Sequence, residues 1–139
     1  VIKDRELKDV FCQASGLPWI PMYPGISFKP LRVSDETGTW TVIFRCEAGS
    51  SFAPHYHLGP GEYYMVSGRM EFRAGTAVAG DYGYEPVGAF HKNTTFVEPT
   101  DIYFTNFGPI GFVDEQGQFT LIMDHVFIRD LARQHGVTV

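Results

Sequence analysis

Through the middle of the chain, apolar and polar residues alternate in short runs, each cut off by glycine, proline, aspartate or glutamine. The runs "TWTVIFRCEAG" (39–49), "EYYMVSGRMEFRAG" (62–75), "YGYEPVG" (82–88), "DIYFTNFG" (101–108) and "GQFTLIMDHVF" (117–127) are rich in β-branched and aromatic residues. That is the pattern of short strands between turns. Apolar residues at helical spacing occur near the two ends, in "DRELKDVF" (4–11) and "VFIRDLARQHG" (126–136). The second run ends in His135-Gly136, a plausible stop, since glycine readily closes a helix. The stretch "LPWIPMYPG" (17–25) holds three prolines and reads as an extended arm leading into the first strand, because proline fixes its own φ and restricts the residue before it. The expected class is all-β.

A chain of 139 residues, 44% of them hydrophobic, has room for one core. Residues 1–139 are therefore expected to form a single domain. Fifteen glycines and nine prolines spread along the length suit many tight turns. Strands so short must close a sheet or pack two sheets together, since open edges invite aggregation. A jelly-roll β-barrel with short terminal helices is the economical arrangement.

The formal net charge is −5 and there is no run of lysine or arginine, so neither nucleic acid nor an anionic membrane surface is an expected partner. No apolar stretch approaches the length of a membrane span, and the first residues alternate charged with apolar side chains. A cytoplasmic location is expected. Cys12 and Cys46 lie far apart without CxxC spacing, which points to two reduced, buried thiols rather than a disulfide or a metal pair.

The chemistry concentrates in "GSSFAPHYHLGPGEYYMVSGRMEF" (49–72). If this segment is extended, His55 and His57 are two residues apart and share a face, so both could reach one metal ion. On its own an HxH pair is equally compatible with two partly exposed histidines beside a proline. Tyr63 would share the face of Gly61, as a metal-facing or as an ordinary core tyrosine. Arg73 alternates with Glu71, opposite in parity to Met70 and Phe72, and reads as an inward group or a solvated strand residue. Glu85 would be a buried carboxylate needing a partner such as Arg73, or a surface turn carboxylate.

For the histidine pair, the surrounding spacings tip the balance toward a metal site. Gly49, His55, His57 and Gly68, then Gly80, Pro86, Gly88 and His91, resemble the two motifs of the cupin superfamily, G-x5-HxH-x3,4-E-x6-G and G-x5-PxGxxH-x3-N. In this chain Thr95 stands at the final asparagine. The liganding glutamate of the first motif falls on Gly61, with Glu62 one residue later. A shift of one residue turns a strand side chain to the opposite face, so Glu62 is not expected to bind metal. Three neutral imidazoles would leave the full charge of a divalent ion in place, which suits an anionic chelator.

Between about Thr39 and Met123 the chain resembles, more narrowly, the acetylacetone (β-diketone) dioxygenases and the related 2,4'-dihydroxyacetophenone dioxygenases. The resemblance implies Fe(II) held by His55, His57 and His91, although zinc, nickel or copper also bind imidazole in a purified sample. It implies a polar surround made by Tyr63, Arg73 and Glu85, and substrate-pocket positions at Phe52, Thr94 and Ile102, the last of which is expected to be aromatic. The implied reaction consumes O2 and a small β-diketone-like substrate. It breaks a C–C bond to give a carboxylic acid and a 2-oxo carbonyl product. Alternatives on the same scaffold are a dioxygenase for an aryl hydroxyketone and a non-catalytic metal-binding regulatory cupin. A homodimer or homotetramer is expected, with Met70, Phe72 and the proline-rich arm as candidate contacts.

Overall fold

A computed structural model describes residues 9–139. The expected N-terminal helix at 4–11 lies largely outside the described residues, and Asp9–Phe11 are not helical. In chain order the strands are β1 (Ile20–Tyr23), β2 (Ile26–Val33), β3 (Trp40–Cys46), β4 (Ser51–Phe52), β5 (His55–His57), β6 (Gly61–Ser67), β7 (Arg69–Phe72), β8 (Gly75–Val78), β9 (Tyr82–Glu85), β10 (Phe90–His91), β11 (Thr94–Phe96), β12 (Thr100–Asn106), β13 (Ile110–Val113) and β14 (Phe119–Met123). A 3-10 turn at Ala14–Gly16 precedes them, and one helix, α1 (His125–Gln134), follows.

The strands form three antiparallel sheets. One runs β1-β2-β3-β12-β6-β9, the second β10-β5-β13-β14 and the third β4-β11-β7-β8. Period-two alternation sets the inner face of the first. Trp40, Val42, Phe44 and Cys46 of β3, Ile102 and Phe104 of β12, and Tyr63 and Met65 of β6 are all buried and belong to one core cluster. Each fully buried apolar side chain of this kind stabilises the fold by about 1.5–3 kcal/mol. Met70, Phe96, Ile110, Phe112 and Met123 from the other two sheets complete the core.

The segment read as an arm contains a strand. Ile20–Tyr23 pairs with β2 at the edge of the first sheet, where the missing N–H of Pro21 breaks no interior ladder. Pro24-Gly25 makes the turn, with φ +80° at Gly25. At the other end α1 begins where Asp124 accepts a hydrogen bond from the Phe127 amide, buries Ile128 and Ala132, and stops before Gly136 at φ +78°. The run "HVF", expected to continue the last strand, instead opens this helix. The "DEQGQ" turn is capped by Asp114, which accepts from the amides of Gln116 and Gln118. Cys12 and Cys46 are free, and Cys46 is buried. Among the described residues no helix is long and apolar enough to cross a membrane.

Candidate metal centre

Strand alternation places His55 and His57 on the buried side of β5 with Tyr56 facing out. On β10, His91 is the direct cross-strand partner of His55. The three imidazoles form a nearly equilateral triangle, with centroid separations of 5.3 Å for His55–His57, 5.2 Å for His55–His91 and 5.2 Å for His57–His91. All three are buried. His55 Nδ1 lies 2.7 Å from the Ala53 carbonyl oxygen. It must donate to that acceptor, which leaves Nε2 as the lone-pair nitrogen.

The position of the family glutamate is settled by crowding. A Cβ at Gly61 would lie 2.8 Å from the Phe104 ring and 2.9 Å from Asn106 Oδ1. Glu62 faces outward and accepts a 2.7 Å hydrogen bond from Tyr82 Oη. A carboxylate nonetheless reaches the site, from the neighbouring strand. Glu85 on β9 is the cross-strand partner of Gly61. It is buried, its Oε2 is in contact with His57 Nε2, and the same oxygen lies 3.7 Å from His91 Nε2. Glu85, expected in the polar surround of the three histidines, thus lies directly against two of them.

One donor atom from each of His57, Glu85 and His91 lies within 4.8 Å of the others, so these side chains could share a metal ion. His91 Nε2 and His57 Nδ1 are buried without a hydrogen-bond partner, and His57 Nε2 and Glu85 Oε2 have only each other. Orphaned buried acceptors cost free energy, and a bound cation removes that cost. The donor set therefore fits a divalent metal, with His55 completing the imidazole triad. Burial drives the His55 pKa down to about 4 and also lowers that of His91, so both are neutral, the metal-binding form, at physiological pH. Burial pushes Glu85 up, but the hydrogen bond from His57 and the attraction between the carboxylate and the surrounding imidazoles outweigh this and hold its carboxyl below the ordinary value.

Around the centre the cavity wall is apolar. Phe52, Phe104, Phe112 and Met70 line it together with the three histidines, Glu85 and Thr94. The Phe104 ring lies parallel to His57, 6.2 Å between centroids, and Phe72 lies parallel to His91 at 6.1 Å. Thr94 Oγ1 is buried without a partner, which makes it available to a ligand in the cavity. Tyr63 is buried next to Phe104 and Phe72. Its pKa is raised to about 12 by burial, and further by the charges of Glu85 and Asp81.

Not every expected residue gathers here. Ile102 is fully buried but does not line the cavity. Arg73 is exposed in the β7–β8 turn, facing a surface cleft that also includes Phe72, Phe90 and Lys92. Glu85 faces histidines rather than Arg73. Met70 and Phe72, taken from sequence as candidates for a subunit contact, instead pack inward against the cavity and His91. Phe104 was missed in the sequence. Its parity with Ile102 on one strand was the available signal.

Two imidazoles two residues apart on one strand and a third across the ladder, inside a jelly roll, define a cupin. A family model described as the ChrR cupin-like domain matches residues 7–111, and the chain belongs to that family. Among solved structures, an acetylacetone dioxygenase from Acinetobacter johnsonii is 36% identical with a TM-score of 0.81, covering 91% of each chain. A protein of Methylibium petroleiphilum PM1, proposed to be an acetylacetone dioxygenase, is 38% identical with a TM-score of 0.84, covering 88% of this chain and 93% of its own. The acetylacetone-cleaving enzyme of Acinetobacter johnsonii is 47% identical over 100 residues, or 68% of this chain. The match spans 65% of that relative's length.

Proposed function

We propose that this chain is an iron(II)-dependent dioxygenase that cleaves a carbon–carbon bond of a β-diketone with O2. The observation that carries the reading is the buried triad His55, His57 and His91 with Glu85 beside it, set in an otherwise apolar cavity. The likeness to acetylacetone-cleaving relatives supports the substrate class. His55, His57 and His91 would hold the ion, whose chemistry when bound is polarisation of the chelating oxygens and activation of O2.

The chain's own residues account for the rest. A β-diketone binds through both oxygens after losing the proton of its central carbon. Glu85 Oε2 is the buried acceptor placed to take that proton, and its depressed pKa keeps it ionised. Thr94 Oγ1, unpartnered in the wall, orients one substrate oxygen. Phe52, Phe104 and Phe112 exclude water and favour the uncharged flanks of the substrate. Tyr63, protonated at every working pH, contributes a neutral polar edge rather than a negative charge. Both atoms of O2 enter the products, one carboxylic acid and one 2-oxo carbonyl compound, and no external reductant is needed.

Oxygen uptake decides the matter. Protein loaded anaerobically with Fe(II) should consume one O2 per β-diketone and release a carboxylic acid, while a simple monoketone elicits no uptake. Diketone binding without oxygen consumption would overturn the reading, and zinc-filled protein inert to every diketone would favour a regulatory role instead.

A further inference from the structure

Asn106 stands apart from everything the proposed reaction uses. It is fully buried, and both its carboxamide atoms lack a hydrogen-bond partner. Leaving a buried amide unpaired costs about 1–3 kcal/mol, so a chain that keeps one here needs a reason. Its setting supplies one. Along one row of the first sheet the cross-strand partners are Trp40, Asn106, Gly61 and Glu85, all of them buried. The Trp40 indole N–H is satisfied elsewhere, by the Gly108 carbonyl. The only other polar side chain in this run is the Glu85 carboxylate, and the residue between is a glycine.

The carboxamide leans to that side. Asn106 Oδ1 lies 2.9 Å from where a Cβ on Gly61 would be, so it overhangs the missing side chain in the direction of Glu85. Two strand spacings separate the backbones of Asn106 and Glu85, roughly 9.5 Å. A glutamate and an asparagine side chain joined by one hydrogen bond span that gap alongside the Phe104 ring, which also overhangs Gly61, 2.8 Å from the same Cβ position. Any larger residue at 61 would block it.

We propose that Asn106 is a positioning residue for Glu85. With the histidine nitrogens engaged by a metal, Glu85 can no longer rest against His57 Nε2. Its carboxylate swings over Gly61 and accepts a hydrogen bond from Asn106 Nδ2, the carboxamide having flipped to present its NH2. Asn106 thus holds Glu85 off the metal and in place as the acceptor of the substrate proton. The inference rests on the metal-site reading above.

Zinc, a diamagnetic occupant of the histidines, separates the two ideas. In 15N-labelled protein saturated with zinc, one side-chain amide proton of Asn106 should move downfield, and the movement should vanish in Glu85→Ala. Zinc uptake with the Asn106 amide unmoved means that Glu85 ligates the metal or stays put, and the proposal is lost while the metal site stands. No zinc uptake by the wild-type protein removes both. In Fe(II)-loaded protein, Asn106→Leu should lower kcat at least tenfold with little change in KM, and less than twofold in a Glu85→Gln background. Equal losses in both backgrounds would make Asn106 a mere packing residue and overturn the assignment. The melting temperature of metal-free Asn106→Leu should match or exceed wild type, since an unpaired amide has been replaced by an apolar group of similar size.

Discussion

The phenol ring of Tyr63 fills the space that a side chain on Gly83 would need. The two are cross-strand partners, and a Cβ on Gly83 would fall 2.2 Å from Tyr63 Cζ and 2.3 Å from its Oη. Gly83→Ala should therefore either expel the ring or distort the edge strand β9, destabilising the protein by about 1–3 kcal/mol. Urea unfolding of this variant beside Gly16→Ala, where nothing lies within 4 Å of the added carbon, measures the difference. Equal midpoints for the two would mean that Tyr63 relocates without penalty.

Metal stoichiometry should divide the candidate ligands cleanly. His55→Ala, His57→Ala and His91→Ala are each expected to lose tight binding. Glu62→Ala should retain wild-type metal content and change stability by no more than about 0.5 kcal/mol, as an outward residue bonded to exposed Tyr82. Elemental analysis of protein purified without added metal reads this directly. Metal loss in the Glu62 variant would place that side chain at the ion after all.

Acid should weaken the metal-free fold from an unusually high pH. Burial disfavours the His55 imidazolium and pushes its pKa down to about 4, from about 6.5 for an ordinary histidine. The unfolded chain takes up the proton first, so the stabilisation is complete above about 6.5 and is lost as pH falls toward 4. The lowered pKa of His91 acts in the same direction. Unfolding free energies from urea titrations at pH 7, 5.5 and 4 should fall by an amount on the order of 2–3 kcal/mol across the series. His55→Phe should flatten the drop, and an unchanged slope in that variant would assign the acid sensitivity to other groups.

Self-association should use the outer face of the first sheet. Tyr103, Tyr64 and Tyr82 are successive cross-strand partners there, exposed by 39%, 49% and 63%, with Tyr84 beside them. A row of exposed tyrosines on a sheet face suits contact with a second copy. Light scattering at micromolar concentration should report a homodimer or homotetramer, shifted toward monomer by Tyr64→Lys with Tyr82→Lys. A monomeric wild-type mass would contradict this.

Much of this was legible because strand parity is strict. The inward pair His55 and His57, the outward turn of Glu62 and the buried face of β3 all follow from alternation alone. So does the helix at the C-terminal end, from its apolar spacing and the glycine after it. What could not be read was which strands are neighbours. Glu85 reaches the histidines only because β9 pairs with β6 in the register that sets it opposite Gly61, a non-local fact with no local signature. The same blindness hid the cavity role of Phe104 and the inward packing of Met70. Arg73 shows the converse limit. Alternation was extended through a strand that had already ended at Phe72, and in the turn beyond it the period-two rule no longer applies.

The donors of the candidate centre are divided between layers. His55, His57 and His91 belong to β5 and β10 of the second sheet, whereas Glu85 ends β9, the outermost strand of the first, which is joined only to β6 through four residue pairs. With an ion on the three histidines, Glu85 stands ready beside it only while that edge strand stays docked, so ion binding and the docking of β9 favour each other. Fraying of β9 would withdraw the proton acceptor while leaving all three histidines in place. The strand acts as a removable side of the site, and its docking sets how much of the ion-loaded protein is competent to react.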